Sequence, residues 1–315
     1  MVNKITKDRL KNFIWYNSIK IIVLTVIFSV VLGLLFNFLE KQPTDGQDFR
    51  IMIDSEITLG SDIDEIFSDL FTNDELNGGF SYEILKGETV IVRDSDENPK
   101  DYLINQIYVP LAYDDITVFY ENLNNEAGEN GYAYYVDKNN ATDILVYIDN
   151  ALKYLYDNRF CDENGVFNEQ RVYEYFVSTR GSDARFKTSE QIEKGKADEL
   201  LRLKAIYNNA TSLKECFANH LDLLDYREYT FSGVEFKGYY GLKVSKLVGN
   251  SENDIKNLFL VKTEDENGNW VDTLDGIYIS VGENSKENGD LYYDNLAVLY
   301  TLIKRYTNYL WKENL

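Results

Sequence analysis

The sequence predicts an α/β fold preceded by a transmembrane helix, and three observations support this prediction. Nineteen consecutive residues without a charged side chain lie between Lys20 and Glu40. The hundred residues that follow alternate short period-two strands with helical segments, a pattern typical of layered α/β proteins. The hydrophobic content of 44% and the charged content of 27% are ordinary for a chain that folds around its own core.

The uncharged run has the length needed to cross a bilayer. At about 1.5 Å per helical residue it nearly spans the roughly 30 Å hydrocarbon core. Trp15 and Tyr16 precede it, where aromatic side chains often meet the membrane interface. A cleaved signal peptide is a second interpretation, disfavoured by the long run and the missing small-residue cleavage site, and a buried core helix is a third. The predicted organisation is a cytoplasmic stub over 1–18, a transmembrane helix over 19–39, a polar stalk over 40–48 and an extracytoplasmic α/β domain over 49–315.

Charge predicts the orientation of this segment. Five basic residues and one acidic residue precede the run, which gives this segment a net charge of +4. Because the whole chain has a net charge of −21, the remaining residues carry −25. The positive-inside rule then places the N-terminus in the cytoplasm and the acidic domain outside, in a single-pass protein of the cell membrane. An acidic surface also argues against nucleic-acid binding, which needs basic side chains to contact phosphates.

The acidic domain contains strands, then helices, then strands again. Turn signals and apolar periodicity predict its elements. The predicted strands cover 49–54, 80–86, 88–93, 115–121, 132–137, 227–232, 234–240, 258–263 and 275–281. The predicted helices begin near Ser61, Asp101, Ile144, Asn168, Thr188 with a capping box to Gln191, Thr211 and Leu291.

The sequence contains few residues in patterns suited to catalysis or metal binding. His220, the single histidine, lies on the apolar side of a predicted helix, and no nucleophile motif accompanies it, so we predict no enzyme. Cys161 and Cys216 are interpreted as separate thiols, with a disulfide as the alternative. Short acidic stretches from Asp94 and from Asp265 resemble calcium-loop fragments, but both lack the glycine at the sixth position and the terminal Glu. We therefore predict acidic turns, with no metal and no cofactor.

Three aromatic residues are the predicted ligand-binding residues. Tyr239, Tyr240 and Trp270 lie beside or near glycines in segments with loop-like composition. Aromatic side chains that line a cleft can stack on sugars or peptides, so these three are the best-placed candidates among the many tyrosines of this chain.

Three stretches of the acidic domain resemble a known family. Residues 49–71 resemble its first strand and helix, residues 238–245 resemble a Tyr-Gly-Ile-x-Leu-Ser stretch common in its members, and residues 275–303 resemble its closing strand, turn and helix. The family is that of bacterial extracellular solute-binding proteins with the type 2 periplasmic-binding-protein fold, in a membrane-tethered form. The resemblance implies a two-lobed domain that closes on a small solute beside a transporter permease.

Two functions are therefore weighed against each other, with an envelope enzyme as a weaker third. The leading one is solute capture or sensing at the cell surface, and the alternative is a non-ligand-binding accessory or adaptor protein of the cell envelope. A deep cleft lined by polar and aromatic groups would favour the first function. A filled cleft with an exposed apolar patch elsewhere would favour the second.

Overall fold

A computed structural model describes much of the domain and part of the N-terminal segment. The described residues are Trp15, Asn17, Ser18, Lys20, 22–33, 50–54, 56–60, 90–94, 116–121, Tyr132, Val136, 141–180, 186–231, 233–250, 253–265, 268–282 and 293–310. For 50–52, 90–94, Arg180, Phe231 and Val234 the description covers the backbone alone. The chain divides into two compact units, Met1–Gln42 and Pro43–Leu315.

The N-terminal unit is helical wherever it is described. Residues 22–33 form one continuous helical stretch. Its large apolar side chains are exposed on every side of the helix; they are Ile22, Val23, Leu24, Val26, Ile27, Phe28, Val30, Val31 and Leu32. Among the residues that the structure describes, no helix combines the length and the apolar content needed to cross a membrane.

The larger unit is built on a mixed six-stranded sheet. Its strands are β1 (Arg50–Asp54), β3 (Val90–Asp94), β4 (Ile116–Tyr120), β5 (Leu224–Phe231), β6 (Val234–Lys243) and β9 (Ile277–Val281). The order across the sheet is β3-β1-β4-β9-β6-β5. β1 runs parallel to both of its neighbours, whereas all other pairs are antiparallel. Early and late strands therefore meet in one sheet at the β4–β9 pair.

A second, three-stranded sheet has the order β2-β7-β8 and is antiparallel throughout. Its strands are β2 (Thr58–Leu59), β7 (Phe259–Glu264) and β8 (Trp270–Thr273). The turn between β7 and β8 contains Gly268 with φ +77°, a conformation that glycine adopts without steric cost. β8 stands at the end of this sheet.

Four α-helices of the larger unit have described bounds, and apolar periodicity accounts for the faces that they bury. They are α1 (Ile144–Asp157), α2 (Glu169–Arg180), α3 (Ser189–Asn219) and α4 (Leu296–Tyr306). The predicted capping box at the start of α3 is present, with Thr188 and Gln191 each bonded to the backbone of the other. The main core joins α1, α3 and α4 to one face of the large sheet.

The fold class predicted from the sequence is wrong as stated. Helices and mixed sheets do give an α/β composition, but no described helix could cross a membrane. The periplasmic-binding-protein-like ectodomain with two lobes is not found either, because Pro43–Leu315 is one compact unit whose early and late strands share a sheet. Alternating strands and helices indicate layering, but they do not determine how many sheets the strands form.

Three local predictions also differ from the structure. Tyr132 and Val136, predicted in a strand over 132–137, are helical. The helices predicted to begin at Thr188 and Thr211 are one continuous helix, α3. The last helix begins at Leu296 rather than near Leu291. The predicted helices near Ser61 and Asp101 and the strand over 80–86 lie outside the described residues.

Candidate functional site

The three predicted ligand-binding residues occupy three different environments. Tyr239 and Tyr240 lie within β6 rather than in a turn, at a shift in the register between β5 and β6. Tyr239 packs against the main core, whereas Tyr240 packs against a smaller aromatic cluster. Trp270 opens β8 in the other sheet, and 68% of it is exposed. Their role in binding a ligand stays a prediction, and the structure does not place all three on one surface.

A second cluster of aromatic residues covers the other face of the large sheet. It consists of Phe119, Tyr132, Val136 and Tyr278, with Ala141, Tyr229, Phe236 and Tyr240 packed around them. The Tyr132 ring meets both Phe119 and Tyr278 edge to face, at centroid distances of 5.3 and 5.0 Å. Strand alternation explains the separation, since Ile277 and Ile279 point into the main core while Tyr278 points into this cluster.

Charged groups lie directly beside these rings, and Arg227 of β5 is at their centre. Its guanidinium donates to Asp225 Oδ2 at 2.6 Å and to Glu121 Oε2 at 2.7 Å. It also lies 4.6 Å from the centre of the Tyr132 ring, within cation–π range. Lys243 of β6 contacts the other oxygen of Asp225 at 3.3 Å. We call Glu121, Asp225, Arg227 and Lys243 the charged cluster.

The electrostatics of this region follow from partial burial among opposite charges. Burial alone would lower the pKa of Arg227, but its hydrogen bond to Asp225 and the nearby Glu121 raise that pKa above the ordinary value. Burial and the Asp225 carboxylate raise the pKa of Tyr278 to about 12. At neutral pH the guanidinium is therefore charged, and the Tyr278 hydroxyl, 3.2 Å from Arg227, is protonated.

The charged cluster lies near the carboxyl ends of two parallel strands. Glu121 directly follows β4, and its backbone N–H donates to the carbonyl of Gly276. At the end of the neighbouring β1, the buried carboxylate of Asp54 accepts the backbone N–H of Tyr120 at 3.2 Å. Open α/β sheets commonly bind ligands at the carboxyl edge of their parallel strands. This location makes the charged cluster the best candidate binding site among the described residues.

The arrangement suits recognition better than catalysis. The cluster presents two cations and two carboxylates next to aromatic rings, and all four charged side chains keep some contact with solvent. Arg227 is far in the sequence from two residues that it contacts, Glu121 and Tyr278, so no local motif could have predicted the cluster. The only local signal is the alternation of Arg227 and Tyr229 in the predicted strand over 227–232, with Asp225 two residues before Arg227.

The other residues considered for catalysis or metal binding have contacts typical of structural roles. His220 ends α3 as its C-terminal cap, and its ring stacks on Tyr309 at 3.8 Å. Cys161 and Cys216 are buried free thiols, and burial raises the pKa of each to about 11. The carboxylate of Asp265 accepts the backbone N–H of Asn269 inside its own turn. Within the described part of the chain, no group of three or more acidic, His or Cys side chains could hold a metal ion.

Comparison with known proteins finds no relative of this chain. No family model, no curated protein and no solved structure matches this chain. The resemblance to solute-binding proteins therefore rests on the three sequence stretches alone.

Proposed function

We propose that this chain is an accessory or adaptor protein of the bacterial cell envelope, attached to the cell membrane, whose acidic domain outside the membrane contacts another protein. The exposed aromatic end of β8 carries this proposal. Trp270 is 68% exposed and the adjacent Val271 is 39% exposed, and Trp270 is the most exposed of the large apolar side chains described in Pro43–Leu315. Exposed tryptophan is costly to keep in water and is enriched where proteins bind one another.

The membrane attachment is supported by the apolar N-terminal segment. Its described residues, 22–33, expose apolar side chains around the whole helix, and such a helix needs nonpolar surroundings. The charge difference of the sequence supports a cytoplasmic N-terminus. Protease added to intact cells without their wall should digest the acidic domain, and a protected C-terminus would contradict this orientation.

Site-specific photo-crosslinking in intact cells tests the adaptor function. A benzophenone amino acid replaces Trp270 in the full chain, and Val166, 65% exposed in the loop between α1 and α2, serves as the matched control position. We expect a discrete higher-mass adduct from position 270 and little from position 166, because the proposed contact is confined to the surface around Trp270. Absence of any adduct at 270, 166 and further exposed positions such as Tyr226 would contradict the adaptor function.

Solute capture is the second candidate function, and the charged cluster favours it. Charges of both signs beside aromatic rings, at the carboxyl edge of parallel strands, could hold a polar solute such as those bound beside transporter permeases. Under this proposal a solute stabilises the chain by about 2.7 kcal/mol at 100 times its Kd.

A thermal-shift screen of the full chain against sugars, peptides and amino acids tests solute capture. We expect Arg227→Gln to abolish any shift, because Arg227 connects both carboxylates of the cluster. Lys237→Gln is the control, since Lys237 lies on the same hairpin but pairs with Glu228 in solvent. If no solute shifts the unfolding temperature at millimolar concentration, solute capture is wrong.

A further inference from the structure

We propose that the outer edge of β8 binds an extended, positively charged segment of a partner protein as an added antiparallel or parallel strand. This inference rests on the proposed adaptor function and specifies the partner's chemistry and its binding mode. Among the described strands, the order β2-β7-β8 leaves β8 at the end of the small sheet. An end strand offers a row of backbone donors and acceptors that another extended chain can use.

The hairpin register shows which backbone groups point outward. The backbone N–H of Asp265 donates to the carbonyl of Asn269, and Val271 and Trp270 lie opposite Thr263 and Glu264. In an antiparallel pair, hydrogen-bonded and non-hydrogen-bonded positions alternate. Because Asn269 is bonded across the hairpin, Val271 and Thr273 direct their backbone groups toward β7. Trp270 and Asp272 therefore direct their backbone N–H and C=O groups toward the open edge.

β8 carries only part of the protection that natural end strands use. It is four residues long and contains the charged Asp272, but it has no lysine, no proline and no bulge. β8 has the sequence Trp-Val-Asp-Thr, its register with β7 is regular, and Trp270, Val271 and Asp272 are all exposed. The Trp270 ring is available as the kind of aromatic anchor that dominates the binding energy of many interfaces.

Charge indicates the chemistry of the partner segment. The hairpin and its flanks, residues 259–276, contain five acidic residues and a single lysine, which gives a net charge of −4. A second copy of this chain is a poor occupant, because it would bring the same negative charges to the same edge. A basic extended segment complements the field and associates faster as a result.

Two substitutions at one position separate a backbone contact from a charge contact. Asp272→Ala and Asp272→Pro both remove the carboxylate, but Asp272→Pro alone removes the outward N–H. That N–H is not part of the β7–β8 ladder, so the hairpin keeps its internal hydrogen bonds in both variants. Proline is also tolerated on end strands.

The probe is a fluorescein-labelled eight-residue peptide of alternating lysine and valine, titrated against the full chain in nonionic detergent and followed by anisotropy. We expect Asp272→Ala to weaken binding by about threefold and Asp272→Pro by at least tenfold, a factor that corresponds to the loss of a well-formed contact. Trp270→Ala should also weaken binding about tenfold, whereas Val166→Ala should leave it unchanged. The same peptide with glutamate in place of lysine should not bind.

Several results would overturn the proposal. Equal binding by the Asp272→Ala and Asp272→Pro variants would exclude strand addition, and equal binding of the acidic peptide would exclude the charge argument. No binding of the lysine–valine peptide at millimolar concentration would also overturn it. If Asp272→Pro lowers the unfolding temperature of the chain, the peptide affinities of Trp270→Ala and Val166→Ala are compared instead. Equal affinities of these two variants would then overturn the proposal. Crosslinks in cells from position 166 or 226 but not from 270 would refute this edge as the docking surface while leaving the adaptor function in place.

Discussion

Replacing Arg202 by methionine should lower the free energy of unfolding by about 3–5 kcal/mol. The Arg202 guanidinium donates to Asp294 Oδ2 at 2.7 Å, and the two side chains are only 8% and 2% exposed. It also forms two bonds to Glu199, of 2.8 and 2.9 Å. Burial alone would lower the pKa of Arg202, but both carboxylates raise it, so the pair is ionic. Methionine fills similar space but removes the Arg202 charge from beside the buried Asp294 carboxylate. Urea denaturation of the full chain, followed by circular dichroism, measures the loss.

Lys214→Met is the matched control for this variant. Lys214 lies on the same helix and contacts Asp149 at the same distance of 2.7 Å, but these side chains are 58% and 62% exposed. Water already stabilises both charges there, so we expect a loss below about 1 kcal/mol. The double variant Arg202→Met with Asp294→Asn should lose less than Arg202→Met alone, because it leaves no carboxylate at position 294. Equal losses from Arg202→Met and Lys214→Met would show that burial of the pair does not matter for stability.

The ion pair also explains how α4 begins. Asp294 and Asn295 immediately precede α4, and Asn295 provides no side-chain cap to that helix. Instead, Asn295 accepts the Tyr147 hydroxyl of α1 at 2.9 Å, while Asp294 is held by Arg202 of α3. Helix caps are predictable from local sequence, whereas this start depends on partners about 90 and 150 residues away. The sequence therefore predicted a start near Leu291, several residues early.

Local signals predicted the elements that depend on local physics. The capping box of Thr188 and Gln191 and the period-two strands over 49–54 and 275–281 are confirmed. The prediction over 132–137 was wrong because Tyr132 and Val136 stand four residues apart, a spacing that fits one helix face as well as alternation fits a strand. The break predicted at Thr211 was also wrong. Its hydroxyl donates back to the Tyr207 carbonyl, so a poor helix former is accommodated inside α3.

The candidate site was beyond the reach of sequence patterns for a different reason. Arg227 contacts Glu121 and Tyr278 only because β5, β4 and β9 share one sheet in a particular order. Local periodicity and turn signals identify single strands but do not specify that order. Tyr239 and Tyr240 were chosen as ligand-binding candidates for their loop-like, glycine-adjacent context at the end of the predicted strand over 234–240, but those glycines serve close packing within β6. A side chain at Gly241 would press against the Tyr132 hydroxyl and the Tyr278 ring.

Asp143→Ala should lower the free energy of unfolding by about 2–4 kcal/mol. Its carboxylate has two separate tasks. Oδ1 accepts the backbone N–H groups of Leu145 and Val146 and so caps α1, whereas Oδ2 accepts the backbone N–H of Tyr239 in β6 at 2.9 Å. Gly238 permits this approach, because a Cβ there would collide with the carboxylate. Alanine removes the cap and leaves a partly buried strand amide without its acceptor. Urea denaturation measures the total loss, and hydrogen exchange at the Tyr239 amide reports the second task.

Thr188→Ala is the control variant that removes a helix cap without removing a bond to a strand. Thr188 caps α3 in an exposed position, where its hydroxyl accepts the Gln191 N–H at 3.2 Å and bonds to no strand. We expect about 1 kcal/mol for loss of this cap alone, so the excess loss in Asp143→Ala measures the bond between helix and strand. Asp143→Asn should retain the cap through its remaining oxygen and still accelerate exchange at Tyr239, since the amide group can present a nitrogen to the strand. If exchange at Tyr239 stays slow in Asp143→Ala, and its loss of stability only equals that of Thr188→Ala, then Asp143 acts as a cap and does not hold β6 against α1.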